Sequence, residues 1–258
     1  MKNMEKKNAK KIVRNYRIKC VLLAILYALG VAACIAIMTQ NTVLGIACMV
    51  MLAASLKMPF DKLLEKDIEG AIYEDLDPEL FEEILAEGVL KRSTRHKFLA
   101  LMYKGDHDGV LSLVAETEAK PLGPIDKCQN LYRRGFVAFE RGEFDKLAEI
   151  VAEFKSLKSQ NPKTEAIFNN FTVFDKFDAF VDEDYEYVVD VCDLDLRHIS
   201  KKNQNYRVTK LNVSFYRAVA LYKLERFDEA KEAFEEVIAQ APKTHKATIS
   251  KEYLAKMQ

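Results

Sequence analysis

Hydrophobic positions follow two regimes along this chain, and the change comes near residue 57. From Cys20 to Met38 the run CVLLAILYALGVAACIAIM passes without a charge. As a helix it spans about 28 Å, close to the hydrocarbon thickness of a bilayer. Thr39, Gln40 and Asn41 interrupt, and TVLGIACMVMLAASL continues from Thr42 to Leu56. Three polar, uncharged residues suit a tight turn, so the pattern predicts a two-helix transmembrane hairpin with spans at 20–38 and 42–56. Lys57 would snorkel, and Met58, Pro59 and Phe60 would sit at the interface.

Beyond residue 57 the apolar positions recur at helical intervals between charged ones. Phe60, Leu63, Leu64, Ile68 and Ile72 predict an amphipathic helix, which would lie on the membrane surface or pack as a first helix. Asp77-Pro78 reads as N-cap and first helical residue of a further helix with Leu80, Phe81, Ile84 and Leu85 on one face. Residues 57–90 are therefore expected to be amphipathic or capping helices. From about residue 91 every segment has the helical period, so the predicted class is all-α.

Charge adds orientation. Residues 1–19 hold eight basic side chains and one acid, residues 20–56 hold none, and the remainder has 31 basic against 38 acidic groups. Basic residues flank the hairpin on both outer sides (Lys57, Lys62 and Lys66 at the exit) and are absent from its tip. The positive-inside rule thus predicts a two-span protein of the cell membrane with a basic cytoplasmic N-terminus at 1–19 and a cytoplasmic C-terminus. The N-terminal segment would also be drawn to anionic headgroups. Two other readings use the same residues: a cleaved signal peptide, opposed by the second apolar run, and a lipoprotein, since Val31-Ala32-Ala33-Cys34 resembles a lipobox, opposed by the apolar run continuing through Cys34. The acidic soluble part argues against a nucleic-acid ligand.

Chemistry-bearing motifs are sparse. Five cysteines (20, 34, 48, 128, 192) form no CxxC and read as reduced, buried thiols. Walker, GxGxxG, GxSxG and HExxH patterns are missing. His96, His107, His198 and His245 are scattered and read as solvated surface. The run Asp182-Glu183-Asp184 lacks EF-hand spacing and reads as a solvated turn. No enzyme, cofactor or metal is expected.

The C-terminal half repeats. Ala218, Leu221, Phe227, Ala230, Phe234, Val237 and Pro242 fall at offsets 0, 3, 9, 12, 16, 19 and 24. This resembles the tetratricopeptide (TPR) repeat, in which small residues let two helices of a hairpin approach and aromatic residues fill the flanks. Gly135, Ala138, Phe144, Leu147, Val151 and Phe154 follow the same offsets with Leu147 at a small-residue position. Related turns fall at 104–108 and 182–186. The aligned turn positions are His107, Phe144, Tyr185 and Phe227, spaced by 37, 41 and 42 where the family repeat is 34. The resemblance covers residues 91–243 and implies a TPR-like α-solenoid of about four helix pairs, with residues 244–258 as a C-terminal capping helix carrying Tyr253 and Leu254.

In that family the first helices of successive pairs line a groove that binds peptides or helices of other proteins. Carried across, the groove positions are Gln129, Tyr132, Arg133 and Phe136, then Asn170, Phe174 and Phe177, then Asn212, Tyr216, Val219 and Lys223. The same spacing also suits core aromatics. The basic pairs that clamp a terminal carboxylate are not evident. The resemblance implies a protein partner at the groove; joined to the hairpin and its basic flanks, it predicts a membrane-anchored adaptor on the cytoplasmic face, with membrane lipid along residues 20–60. Two alternatives stand beside it: a structural or regulatory subunit of a membrane complex assembled through the hairpin, and an enzyme with an unfamiliar helical site. Gly30, Ala32, Ala33, Gly45 and Ala47 bear on the first, because small residues allow helices to approach closely.

Overall fold

Helix continuity is the first departure from the sequence pattern. In the computed structural model, which describes residues 8–90, 93–160 and 162–257 and the side chains of all of these except 54–65, α1 spans Ala9–Gln40 and α2 spans Thr42–Tyr73. The basic segment from residue 9 is thus part of the first helix. The expected three-residue break is a single residue, Asn41. Asn41 has extended φ/ψ, donates its N–H to the Ile37 carbonyl, and accepts from the Leu44 N–H at 3.1 Å. One asparagine therefore caps both helices, so Thr39 and Gln40 stay helical. So short a connection forces the helices together. A Cβ on Gly45 would lie 2.7 Å from the Met38 Cα, and one on Gly30 would meet Leu52 at 3.0 Å. Gly30 and Leu52 are equidistant in sequence from Asn41, which marks an antiparallel pair.

The amphipathic segment after residue 57 is likewise the continuation of α2 and not a separate helix. Ile68, Ala71 and Ile72 are buried there, and Lys19 pairs with Asp67 across the hairpin. The expectations for Lys2, Lys6, Lys7 and the side chains of Lys57 to Leu64 lie outside the described residues. Helix α3, Pro78–Ala86, buries Leu80, Phe81 and Ile84. The hairpin and residues 79–93 form one compact unit; residues 76–78 and 94–258 form a second.

The second unit is built of α4 (Thr94–Lys104), α5 (His107–Glu118), α6 (Pro124–Glu140), α7 (Phe144–Lys158), α8 (Pro162–Phe168), α9 (Val173–Val181), α10 (Tyr185–His198), α11 (Tyr206–Lys223), α12 (Phe227–Gln240) and α13 (His245–Lys256). No strand occurs among the described residues. Four pairs share one turn: α4/α5, α6/α7, α9/α10 and α11/α12. In each the first helix ends on a residue with positive φ, namely Gly105 (84°), Gly142 (69°), Glu183 (59°) and Glu225 (59°). In each the next N–H reaches back five residues: Asp106 to Leu101, Glu143 to Ala138, Asp184 to Ala179 and Arg226 to Leu221, at 2.8–3.0 Å. This is a Schellman ending repeated four times. His107, Phe144, Tyr185 and Phe227 open the second helices.

The irregular spacing has two sources. Helix α8 is an insertion ahead of the third pair, and α11 is eighteen residues long after the 199–205 loop. Small residues serve close approach: Ala218 and Ala230 of the α11/α12 pair are fully buried, and between neighbouring pairs a Cβ on Gly135 of α6 would strike Phe177 of α9 at 2.9 Å. Phe227 differs from the pattern. It is 47 % exposed and touches Tyr222 edge-on at 5.8 Å. Helix α13 covers the end of the stack, with Tyr253 stacked on Phe234 at 4.9 Å and edge-on to Tyr222 at 4.8 Å.

Candidate functional site: the centre of the repeat unit

The first helices of the four pairs carry aromatic side chains on their inner faces. Burying each such ring stabilises by about 1.5–3 kcal/mol, and ring pairs add about 0.5–1.5 kcal/mol. The inner faces accordingly close on one another. Phe139 of α6 contacts Phe177 and Phe180 of α9 at 5.8 and 4.7 Å, and Phe215 and Tyr216 of α11 at 6.3 and 5.0 Å. Asn212 of α11 donates to the Tyr103 hydroxyl of α4 at 2.9 Å.

This changes the groove residues. Phe136, Phe174, Phe177, Tyr216 and Val219 are core, each 3 % exposed or less. Burial pushes the Tyr216 phenol well above its ordinary pKa. Asn212 is committed to Tyr103. Asn170 is exposed but stands in the turn after α8, where its amide donates to the Ala166 and Ile167 carbonyls. Arg133 lies over the Phe98 ring at 3.7 Å and donates to Asn130 and Gln129. Lys223, at the end of α11, is exposed, with its ammonium 5.1 Å from the Phe144 ring. Tyr132 stays half-buried, edge-on to Phe136. Of the expected groove positions, Phe136, Phe174, Phe177, Tyr216 and Val219 thus lie in the aromatic core, while Gln129, Tyr132, Arg133, Asn170 and Lys223 keep some exposure.

At the rim of this aromatic centre is a charged cluster that sequence reasoning missed. Glu140, the last residue of α6, has a side chain with no exposure. It pairs with Lys246 of α13, itself 2 % exposed, and with His107 Nε2 of α5 at 2.9 Å. The Lys246 ammonium also sits 4.3 Å from the Phe136 ring and 4.7 Å from the Phe215 ring. His245 stands edge-on to His107 at 5.0 Å and rests against Gly105, where a Cβ would be 2.3 Å away. Arg141 donates to His107 Nδ1 and to Asp108. The cluster ties the first turn of the stack to the end of α6 and the start of the last helix.

The electrostatics follow from burial and pairing. Burial pushes the Glu140 carboxyl up, but the Lys246 charge and the bonds from His107 and Lys246 outweigh it and hold its pKa below the ordinary value. Burial lowers Lys246, with Glu140 opposing. Burial likewise lowers His245. Among the described residues, His107, Glu140 and His245 are the group that can converge on a cation, with donor atoms within 4.8 Å of one another. The ammonium of Lys246 already sits on that carboxylate. A divalent ion there would place a second cation on one buried acid, and like charges disfavour that strongly in a low dielectric. The arrangement is chemically that of an internal ion pair flanked by two imidazoles.

The solvated reading of the histidines is thereby corrected. His96 is 2 % exposed and the His107 side chain 10 %; His198 alone of the four is exposed. Their separation in sequence hid this, because the only signal would have been knowledge that α13 packs back on the first turn. The cysteines are free thiols, and Cys34, Cys128 and Cys192 are buried. Burial pushes the Cys128 and Cys192 thiols up to about 12. The Asp182–Asp184 run is a turn in which Asp184 caps α10 by accepting from the Tyr187 N–H.

In the hairpin unit, α1 is the one described helix long and apolar enough to cross a membrane, and the second apolar stretch, Thr42–Ala53, is shorter. Large apolar side chains stand exposed along both, among them Leu26, Leu29, Val43 and Val50.

Residues 212–244, from α11 to the start of α13, match the tetratricopeptide repeat model. No curated protein and no solved structure matches the chain. The match places one tetratricopeptide-like repeat at residues 212–244, within an all-helical fold.

Proposed function

We propose that this protein is a membrane-anchored scaffold: a helical hairpin held in the cell membrane, carrying a TPR-like module on the cytoplasmic face that holds another protein there. The carrying observation is the distribution of exposed apolar surface. Among the described residues, thirteen of the seventeen large apolar side chains exposed by more than a third lie between Ile18 and Met51, and soluble monomers rarely leave so much apolar surface together. The TPR match supports the interaction role, and the basic flanks support cytoplasmic ends. Anchoring raises the local concentration of a partner, so a modest surface suffices. The partner-contacting residues proposed are the accessible ones of the original set: Gln129, Tyr132 and Arg133 on α6, with Asn170 and Lys223.

A second reading has its own observation. Gly30 and Gly45 are used in packing α1 against α2, whereas Ala32, Ala33 and Ala47 are exposed. Small residues facing outward suit contact with further membrane helices, and the protein is then a subunit of a membrane complex. Co-purification from detergent separates the two. The full chain is compared with Gln129→Ala/Arg133→Ala/Lys223→Ala and with Ala32→Leu/Ala47→Leu. Loss of partner with the first set supports the module; loss only with the second supports the hairpin. A reporter fused after Gln258 and found outside the cell membrane overturns the orientation.

A further inference from the structure

Where α1 leaves its apolar stretch, a cleft of about 460 Å³ lies between that helix and the segment following α3. Lys10, Arg14 and Arg17 line one end of it, and Ile18, Val21 and Leu22 the other. These fall at three- and four-residue intervals, so one face of α1 changes from cationic to apolar along a single line. The apolar end runs on into Ile25 and Leu29, both exposed. Glu87 forms the opposite wall; its backbone carbonyl accepts a bond from the Arg17 guanidinium at 2.9 Å. That bond fixes the arginine and leaves further N–H groups of its fork for another acceptor. Three cations face one carboxylate, so the cleft has a surplus of positive charge.

From this geometry we infer that the cleft is a binding site for one anionic glycerophospholipid, its phosphate on Arg14 and Arg17 and an acyl chain along Ile18, Val21, Leu22, Ile25 and Leu29. The inference rests on the membrane reading of the hairpin. Depth agrees with it: at 1.5 Å per residue Arg17 and Arg14 stand ~4.5 and ~9 Å above Cys20, spanning a headgroup layer of roughly 5–8 Å. Arginine suits a phosphodiester because its planar fork gives two parallel bonds. A choline or ethanolamine headgroup brings its own cation and meets the same arginines less favourably. The continuous apolar track selects a lipid over a free phosphate.

The test uses the full chain in detergent, offered equal amounts of phosphatidylglycerol and phosphatidylcholine, with bound lipid read by native mass spectrometry. Preferential retention of phosphatidylglycerol is expected. In Arg14→Gln/Arg17→Gln the preference should fall about fivefold for each arginine. Arg14→Lys/Arg17→Lys should keep part of it, and Lys201→Gln/Lys202→Gln, on an exposed loop of the repeat unit, all of it. Equal retention of the two lipids by the native chain, or a preference unmoved in the glutamine variant, overturns the site. Flotation with pure phosphatidylcholine vesicles is run beside it. A chain that floats but shows no preference loses only the site, whereas one that floats with no vesicle loses the membrane reading and the site together.

Discussion

The hairpin and the repeat unit are both helical, yet they treat their apolar residues oppositely. Helix α1 has thirty-two residues, and Ala9, Val13 and Cys34 are its buried ones. Helix α11 has eighteen and buries ten. In the repeat unit the large apolar side chains exposed beyond a third are Ile125, Tyr187, Leu194 and Phe227, scattered over three helices. The difference teaches what the solvent is expected to be. A helix pair that left so many leucines and isoleucines in water would forgo roughly 1.5–3 kcal/mol for each. The same pair in hydrocarbon forgoes nothing, because lipid is as apolar as leucine. The repeat unit buries its rings, as a water-solvated domain must.

The largest effect that breaks this comparison comes from charging the hairpin. Leu29 and Val50 lie near the middle of the two apolar stretches and are 62 % and 63 % exposed. If lipid covers them, Leu29→Lys/Val50→Lys costs about 2.5–3.5 kcal/mol per lysine on insertion. The doubly substituted chain should then be released from membranes by alkaline carbonate while the native chain stays in the pellet. On a hairpin in water the same exposed positions would tolerate lysine within about 0.5 kcal/mol. Identical pelleting of the two chains would therefore deny the lipid contact.

In the repeat unit the corresponding experiment is removal of a buried charge. Lys246→Met leaves Glu140 with no exposure and only His107 as partner, and should destabilise the unit by about 3–5 kcal/mol. Urea denaturation of the full chain in detergent, followed by helix content, reads this. Adding Glu140→Leu should recover most of the loss, since an apolar pair of similar volume has no ion to desolvate. If the single change is silent, the ion pair does not hold α13 to α6.

A pH scan gives an effect of intermediate size in the same unit. Glu140 has a folded pKa below its ordinary 4.5, so its stabilisation is full above about 4.5 and is lost as pH falls through the folded value. His245 has a folded pKa below 6.5, so the unfolded chain takes up that proton first. Stability should begin to fall as pH drops below 6.5 and fall further below 4.5. His245→Asn should remove the upper limb and Glu140→Gln the lower. A urea midpoint unchanged from pH 7 to 5 would mean that the imidazole is not buried neutral.

What the sequence made legible was local. The four turns were visible because each combines a polar run with a small-residue and aromatic rhythm, and His107, Phe144, Tyr185 and Phe227 each open a helix. The TPR likeness was clearest where Ala218, Ala230 and Phe234 keep the spacing, which is also where the repeat model matches. What stayed hidden was long-range. Spacing put Phe136, Phe174 and Tyr216 on inner faces, but an inner face becomes a groove or a core only through the curvature of the stack. Curvature is set by sums of small packing choices, such as Phe177 against Gly135, that no single motif carries. The Glu140–Lys246 pair joins residues 106 apart in sequence, so only the closed fold brings them together. Asn41 was hidden for the opposite reason: one residue doing two caps looks, in sequence, like the end of a polar trio.

The smallest expected effect separates the repeats from one another. All four turns need a left-handed residue, which two of them meet with glycine and two with glutamate. An L side chain in that conformation costs about 1–2 kcal/mol, while glycine adds freedom to the unfolded chain. Glu225→Gly should therefore stabilise by about 0.5–1 kcal/mol, and Gly142→Ala should destabilise by about 1 kcal/mol. Nothing lies within 4 Å of a Cβ at Gly142, so its cost would be conformational and not steric. Urea midpoints of the two variants at constant slope measure both. Opposite signs would show that the turns are equivalent in backbone and differ only in what their residue type contributes. A loss in Glu225→Gly would mean that the glutamate side chain stabilises its turn by more than the strain it carries.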